Sequence, residues 1–283
     1  MSASTPGVRL DTPELRRRST APELRRFVYI TRSLAVMEFK LRYFGSFLGY
    51  LWTLFRPLLL FGVLYLVFTR IIRLGDDVPH YPVVLLIGIV LWAFFADATN
   101  SSLPSLVARE SLLRKLSFPR LAIPVAATAT PAANLVLGFG VVLVLAVVNG
   151  VSVSATWLYV VPIMLGTIVF AIGLGLLLSV LFVRFRDLQP IWEIALQLVF
   201  WASPIIYTID FVPEQYRQYV LWNPFAAAVQ ETRHQVVGAG SPSVADVMGS
   251  LYEVLIPVGI AAAVCVLGFL TFRRLSGRVA EDL

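Results

Sequence analysis

Six apolar runs divide this chain: Phe47–Thr69, Val83–Val107, Leu121–Val148, Trp157–Val183, Pro190–Tyr207 and Leu251–Phe272. An α-helix needs about 20 apolar residues to cross a bilayer core, so the pattern predicts an all-α integral membrane protein with six transmembrane helices. The polar segments between the runs differ in kind. Along Glu23–Phe44 the apolar residues Leu24, Phe27, Val28, Leu34, Ala35 and Leu41 recur at helical spacing beside Arg25, Arg32 and Lys40. That predicts an amphipathic helix over residues 20–46, lying in the membrane interface. Thr20 and Glu23 have capping-box spacing and set its start. Asp210–Ser250 is too polar to cross, yet too apolar for an exposed loop, which predicts short re-entrant or interfacial helices between spans five and six. Residues 1–19 carry Pro, Ser and charge without periodicity and read as a disordered tail; residues 274–283 form a second tail.

The fifth run differs from the others. Arg184, Arg186 and Asp187 precede it, and a helix is expected to start at Pro190, where a missing N–H costs little. Gln189, Glu193, Gln197 and Trp201 stand four apart and form one slowly drifting stripe. A carboxylate and two amides facing hydrocarbon are expensive, so the stripe should face protein or water. Ser203-Pro204 then breaks the run.

Composition agrees with a membrane protein: 58% of the 283 residues are hydrophobic and 14% charged, against about 25% charged in soluble domains. The net charge of +6 follows from topology, since 18 of the 23 Lys and Arg fall on one side of the six-span scheme. This asymmetry places both termini in the cytoplasm and makes nucleic-acid binding a poor reading. No small-residue cleavage site follows the first run, which predicts no cleavable signal peptide. The single Cys265 excludes an intrachain disulfide and reads as a small packing residue.

Candidate chemistry is sparse. Tyr43, Tyr50, Trp52 and Phe55 make the first run's entry aromatic, either as an interfacial belt or as a surface on which sugar rings stack. Asp97 and Asn100, at i, i+3, should face the bundle interior. Gly166 and Gly173 favour close helix contact. The segment Arg109–Arg120 includes Glu110 and Arg114 at i, i+4, with Lys115, and suits either a force-receiving helix or an ordinary basic loop. Tyr207, Tyr216, Tyr219 and Trp222 suit the outer interface. The two lysines follow Phe39 and Arg114, so the chain holds no Gly-Lys-[Ser/Thr] phosphate loop. His80, His234 and Cys265 are too scattered to suggest a metal cluster.

The run Arg42–Trp52 with Arg56-Pro57-Leu58 resembles the first-span signature of type-2 permeases of polysaccharide-export ABC transporters, those of O-antigen and teichoic-acid exporters. Phe118-Pro119-Arg120 before Pro124 is similar too, as are Arg186-Asp187 leading to Ser203–Tyr207, and Val212-Pro213 followed by Asn223-Pro224 and Arg233. The resemblance implies a permease domain over 47–273 that homodimerises and pairs with two ATPase subunits, which bind the ATP and Mg; no cofactor is implied in this chain. It also implies that spans one and five line a tunnel for a lipid-linked polysaccharide. Glu23, Arg25, Arg32 and the loop with Arg109, Glu110, Arg114 and Lys115 would meet the ATPases. Tyr207, Tyr216, Tyr219, Trp222, Asn223 and Arg233 would belong to an outer gate of a bacterial cytoplasmic-membrane protein. Two other classes stay open: a type-2 permease for a small hydrophobic drug or lipid, and an integral-membrane transferase.

Overall fold

Hydrocarbon offers a lone backbone segment no hydrogen-bond partner but itself, so an apolar chain of this kind folds into helices. The computed structural model describes residues 20–43, 47–73, 78–110, 119–250 and 252–276, and no strand occurs among them. In chain order the helices are α1 (Thr20–Tyr43), α2 (Phe47–Leu66), α3 (Tyr81–Ser102), α4 (Ala122–Ala127), α5 (Ala129–Val148), α6 (Val160–Arg184) and α7 (Leu188–Ala202). The short α8 (Glu214–Leu221), α9 (Pro224–Val237) and α10 (Val244–Met248) follow, and α11 (Leu255–Leu275) ends the described chain.

Four stretches among the described residues are long and apolar enough to cross a membrane: Tyr81–Ser102, Ala122–Val148, Ala155–Arg184 and Leu255–Leu275. They correspond to the second, third, fourth and sixth expected spans. The first expected span is the 20-residue α2, which contains Pro57 and the exposed Arg56 and ends in a π-helical turn, Val67–Ile71. The fifth differs from expectation. The helix begins at Leu188 rather than at Pro190, because a proline within the first turn displaces no bonded N–H. It ends after 15 residues, as Ser203 turns extended. At 1.5 Å per residue this is about 22 Å, well short of a bilayer core of about 30 Å.

α3 is the axis of the fold. Its residues from Val83 to Leu91 are buried almost without interruption, and α2, α5, α6, α7 and α9 pack around it. Where α3, α6, α7 and α9 meet, aromatic rings fill the core. Trp92 lies 5.4 Å from Phe200 and 5.5 Å from Phe225, and Phe95 lies 5.0 Å from Phe225 and 5.7 Å from Phe170. Tilted and offset pairs of this kind favour a specific packing beyond area burial.

α6 and α11 cross more closely than any side chain allows. A methyl group on Gly268 would sit 2.1 Å from the Gly173 carbonyl oxygen, and one on Gly173 would sit 2.6 Å from Cys265 Sγ. Of the two glycines expected to mediate contact, Gly173 does so, while Gly166 faces open space. Gly268→Val is expected to destabilise the protein by about 1–3 kcal/mol through overpacking. A thermal melt of the purified protein checks this, and an unchanged midpoint would mean that the crossing can spread.

The expected apolar set of α1 is divided between protein and open surface. Phe27, Leu34 and Ala35 are half-buried, whereas Leu24 and Val28 are 64% and 55% exposed. Leu34 joins Leu106, Ile123, Val180 and Phe272, so α1 leans on the ends of α4, α6 and α11.

Candidate functional site

α7 divides cleanly into two faces. Trp192, Leu196 and Phe200 pack into the core, and Trp192 Nε1 donates to Thr99 Oγ1 on α3 at 3.2 Å. Gln189, Glu193, Gln197 and Trp201 form the stripe expected from their spacing, and all four are exposed, Trp201 at 63%. Gln189 Nε2 donates to Glu193 Oε1 at 3.4 Å, a local bond that holds the carboxylate along the stripe. Ile191, Ile194 and Leu198 flank it at 59–67% exposure. A broad face of the helix therefore lies uncovered, polar along the side next to the core-packed residues and apolar along the other.

α2 carries Trp52 and Phe55, both exposed, and packs on α3 as α7 does. The side chains of Tyr43 and Tyr50 lie outside the described residues. On α3 the expectation of two inward polar residues is half met. Asp97 is half-buried and accepts from Ser101 Oγ at 3.5 Å, but Asn100 is exposed. Phe95, Ala98, Thr99 and Ser102 fill the core face, and Asp97 and Asn100 both fall on the side away from it, where only Asp97 is partly covered.

Beyond Ala202 the backbone leaves helical geometry while remaining buried, from Ser203 to Ile206. Buried carbonyls without helix partners must find donors elsewhere. Arg233 supplies three. From α9, with no exposed surface, its Nη2 donates to Ile205 O at 2.7 Å, its Nη1 to Tyr207 O at 3.1 Å and its Nε to Val84 O at 3.0 Å. Tyr81 donates its hydroxyl to Ile206 O at 2.9 Å, and Tyr207 donates its own to Trp201 O at 3.3 Å. Gly88 lets the segment lie on α3, since a methyl there would meet Ile205 O at 2.6 Å. Asn223 caps α9 by accepting from Phe225 N at 3.0 Å and ties back to Ser203 Oγ at 3.1 Å. Arg233 thus serves as a fork that satisfies the broken end of α7 and bolts α9 to it.

The segment α8–α10 is stitched to itself. Arg217 donates to the carbonyls of Val212 and Asp210, both at 2.9 Å. A capping box joins Ser243 and Asp246, and the Ser243 hydroxyl, with its backbone N–H, holds the Asp246 carboxyl below the usual aspartate range. Glu231 accepts from Val244 N at 3.1 Å. Tyr216, Tyr219 and Trp222 remain exposed, the last two in edge contact at 5.0 Å. At the opposite end of α3, Arg109 bonds Glu38 of α1, an ion pair that joins two elements of the expected ATPase-facing surface to each other. Arg25 and Arg32 are exposed and Glu110 is half-buried; the side chain of Glu23 and the residues Arg114 and Lys115 lie outside the described residues.

Residues 30–235 match the family described as ABC-2 type transporter. The chain belongs to the ABC-2 type transporter family. It is 31% identical over 197 residues to the O-antigen export system permease protein RfbA of Klebsiella pneumoniae, covering 69% of this chain and 75% of that protein. The permease of the same name from Myxococcus xanthus is 32% identical over 195 residues, with 68% and 74% covered. The polysialic acid transport protein KpsM of Escherichia coli is 26% identical over 214 residues, with 72% and 80% covered.

In this ABC-2 chain, the fork's partners were out of reach of sequence reasoning. The resemblance placed Arg233 in the outer gate, but the carbonyls it serves lie 26, 28 and 149 positions away, and Tyr81 and Gly88 lie on the same distant helix as the last of them. A lone glycine within a long apolar helix was the one available signal for Gly88. The Trp192–Thr99 and Arg109–Glu38 contacts join residues 93 and 71 positions apart, and no local pattern marks them.

Proposed function

We propose that this chain is the membrane permease subunit of an ATP-driven exporter that moves a lipid-linked polysaccharide across the bacterial cytoplasmic membrane. Two copies pair, and two separate ATPase subunits bind ATP and Mg and supply the energy. The observation that carries the reading is the uncovered face of α7, where a carboxylate, two amides and a tryptophan lie exposed within an apolar helix. Hydrocarbon cannot cover such a face cheaply, and a second copy facing it across a watery path can. Hydroxyl-rich sugars suit the amides and carboxylate, and an exposed indole suits the C–H face of a sugar ring. Family membership supports a permease, and the O-antigen and polysialic acid relatives support a glycan cargo.

In this arrangement α2 and α7 complete six crossings, α7 as a half-helix whose irregular continuation is buried in protein, where such backbone is tolerated. Excess Lys and Arg near α1 and in residues 109–120 put both termini on the cytoplasmic side, with α1 along the interface and α8–α10 as the outer gate. Deleting the gene is expected to strip glycan from the cell surface while its lipid-linked form accumulates inside. Normal surface glycan with heightened drug sensitivity would instead establish the small-molecule reading.

A further inference from the structure

The outer ends of α2, α3 and α5 line an open cavity of about 340 Å³ that takes no part in the path above. Tyr65, Thr69 and Arg70 reach it from α2 and its π-helical turn, His80 and Tyr81 from the start of α3, and Asn149 from the end of α5. Among the described lining residues there is no carboxylate, and α7 and α9 contribute none.

Two irregular pieces of backbone build this cavity. The turn Val67–Ile71 is π-helical, which re-aims Thr69 and Arg70 relative to a continued α-helix; such turns cluster at functional sites. His80 holds a left-handed conformation, with φ at 52°, strained for a residue with a side chain. It also precedes the start of α3, where Pro82 has no N–H and the N–H groups of Val83 and Val84 donate to the His80 carbonyl, so the helix adds its dipole there rather than a row of free donors. A guanidinium, an imidazole and a helix dipole converging on one space suit a phosphate group, which arginine binds in bidentate fashion.

Size and position narrow the ligand. The volume lies at the lower end of the range for small-ligand pockets, about 300–1,000 Å³, and fits a headgroup rather than a glycan chain. The cavity also borders α5, whose Val144, Val147 and Val148 are exposed at 52–76% and form an apolar outer wall. We propose that this cavity docks the phosphate-bearing headgroup of an anionic phospholipid, with Arg70 and His80 as the donors to the phosphate oxygens. That the lipid belongs to the outer leaflet rests on the orientation given above. The test below reads lipid identity and not leaflet, so the two can fail separately.

The delipidated full-length protein in detergent is titrated with phosphatidylglycerol, phosphatidylcholine or diacylglycerol, and bound lipid is counted by native mass spectrometry. Wild type is expected to retain phosphatidylglycerol preferentially. Arg70→Gln should weaken that retention about tenfold, the scale of one lost charge-assisted hydrogen bond. His80→Asn, which tolerates the same backbone conformation, should weaken it less. Retention of diacylglycerol, which lacks the phosphate, should stay unchanged in both variants, which reports that they are folded. Arg217→Gln, altering an outer arginine outside the cavity, should bind as wild type does. Equal retention of the two phospholipids by wild type, or wild-type retention by both Arg70→Gln and His80→Asn, would overturn the proposal. Displacement of phosphatidylglycerol by millimolar inorganic phosphate would also overturn it, since the site would then take a free anion.

Discussion

Arg233→Ala is expected to destabilise this protein by about 3–5 kcal/mol, because it orphans buried carbonyls rather than only removing a contact. Each buried acceptor left without a donor costs about 1–3 kcal/mol, and the substitution releases those of Ile205 and Tyr207 together with the bond to Val84. A loss of that size is comparable with the whole stability of many domains. Arg233→Lys should recover only part of it, since one ammonium cannot span three carbonyls as a planar fork does. Gly88→Val tests the same joint from the other side by pressing on Ile205 O. The measurement is the melting temperature of the purified protein, with surface glycan as the functional readout. If Arg233→Ala melts as wild type does, water or a neighbouring side chain has replaced the fork, and its role in holding the end of α7 falls.

Glu193→Ala and Trp201→Ala should lower export with little effect on the fold, because both side chains are exposed and Trp201 meets the core at the edge of Phe200, 5.3 Å away. For Trp201→Ala the expected loss is about fivefold, the equivalent of one aromatic contact of about 1 kcal/mol. Glu193→Ala also frees Gln189, its neighbour along the stripe. Binding of the ATPase subunits should be unaffected, since α7 packs on α3 and α6 rather than on α1. Export is followed as surface glycan and ATPase binding as co-purification. Normal surface glycan in both variants would remove the stripe from the path.

Much of this was legible along the chain because membrane burial imposes strong periodic rules. Runs near 20 apolar residues predicted four of the helices, and the stripe from Gln189 to Trp201 appeared on one face because spacing by four guarantees it. Errors arose where a local rule met a particular neighbour. Asn100 follows the same polarity argument as Asp97 but is left uncovered on α3, and Gly166 has the spacing for a helix crossing with no helix beside it.

By itself, then, the order of residues determined the helical class, the polar stripe and the break at Ser203-Pro204, since each depends on neighbours a few positions apart. Only the tertiary structure decided what becomes of that break. Whether the carbonyls of Ile205, Ile206 and Tyr207 after α7, and that of Trp201 in its last turn, are tolerable depends on donors from Arg233, Tyr81 and Tyr207, brought there by the packing of α9 and α3 around Gly88. Hydrogen bonds between distant residues leave no periodic trace, and a buried arginine looks like any other cation until the acceptors around it are known.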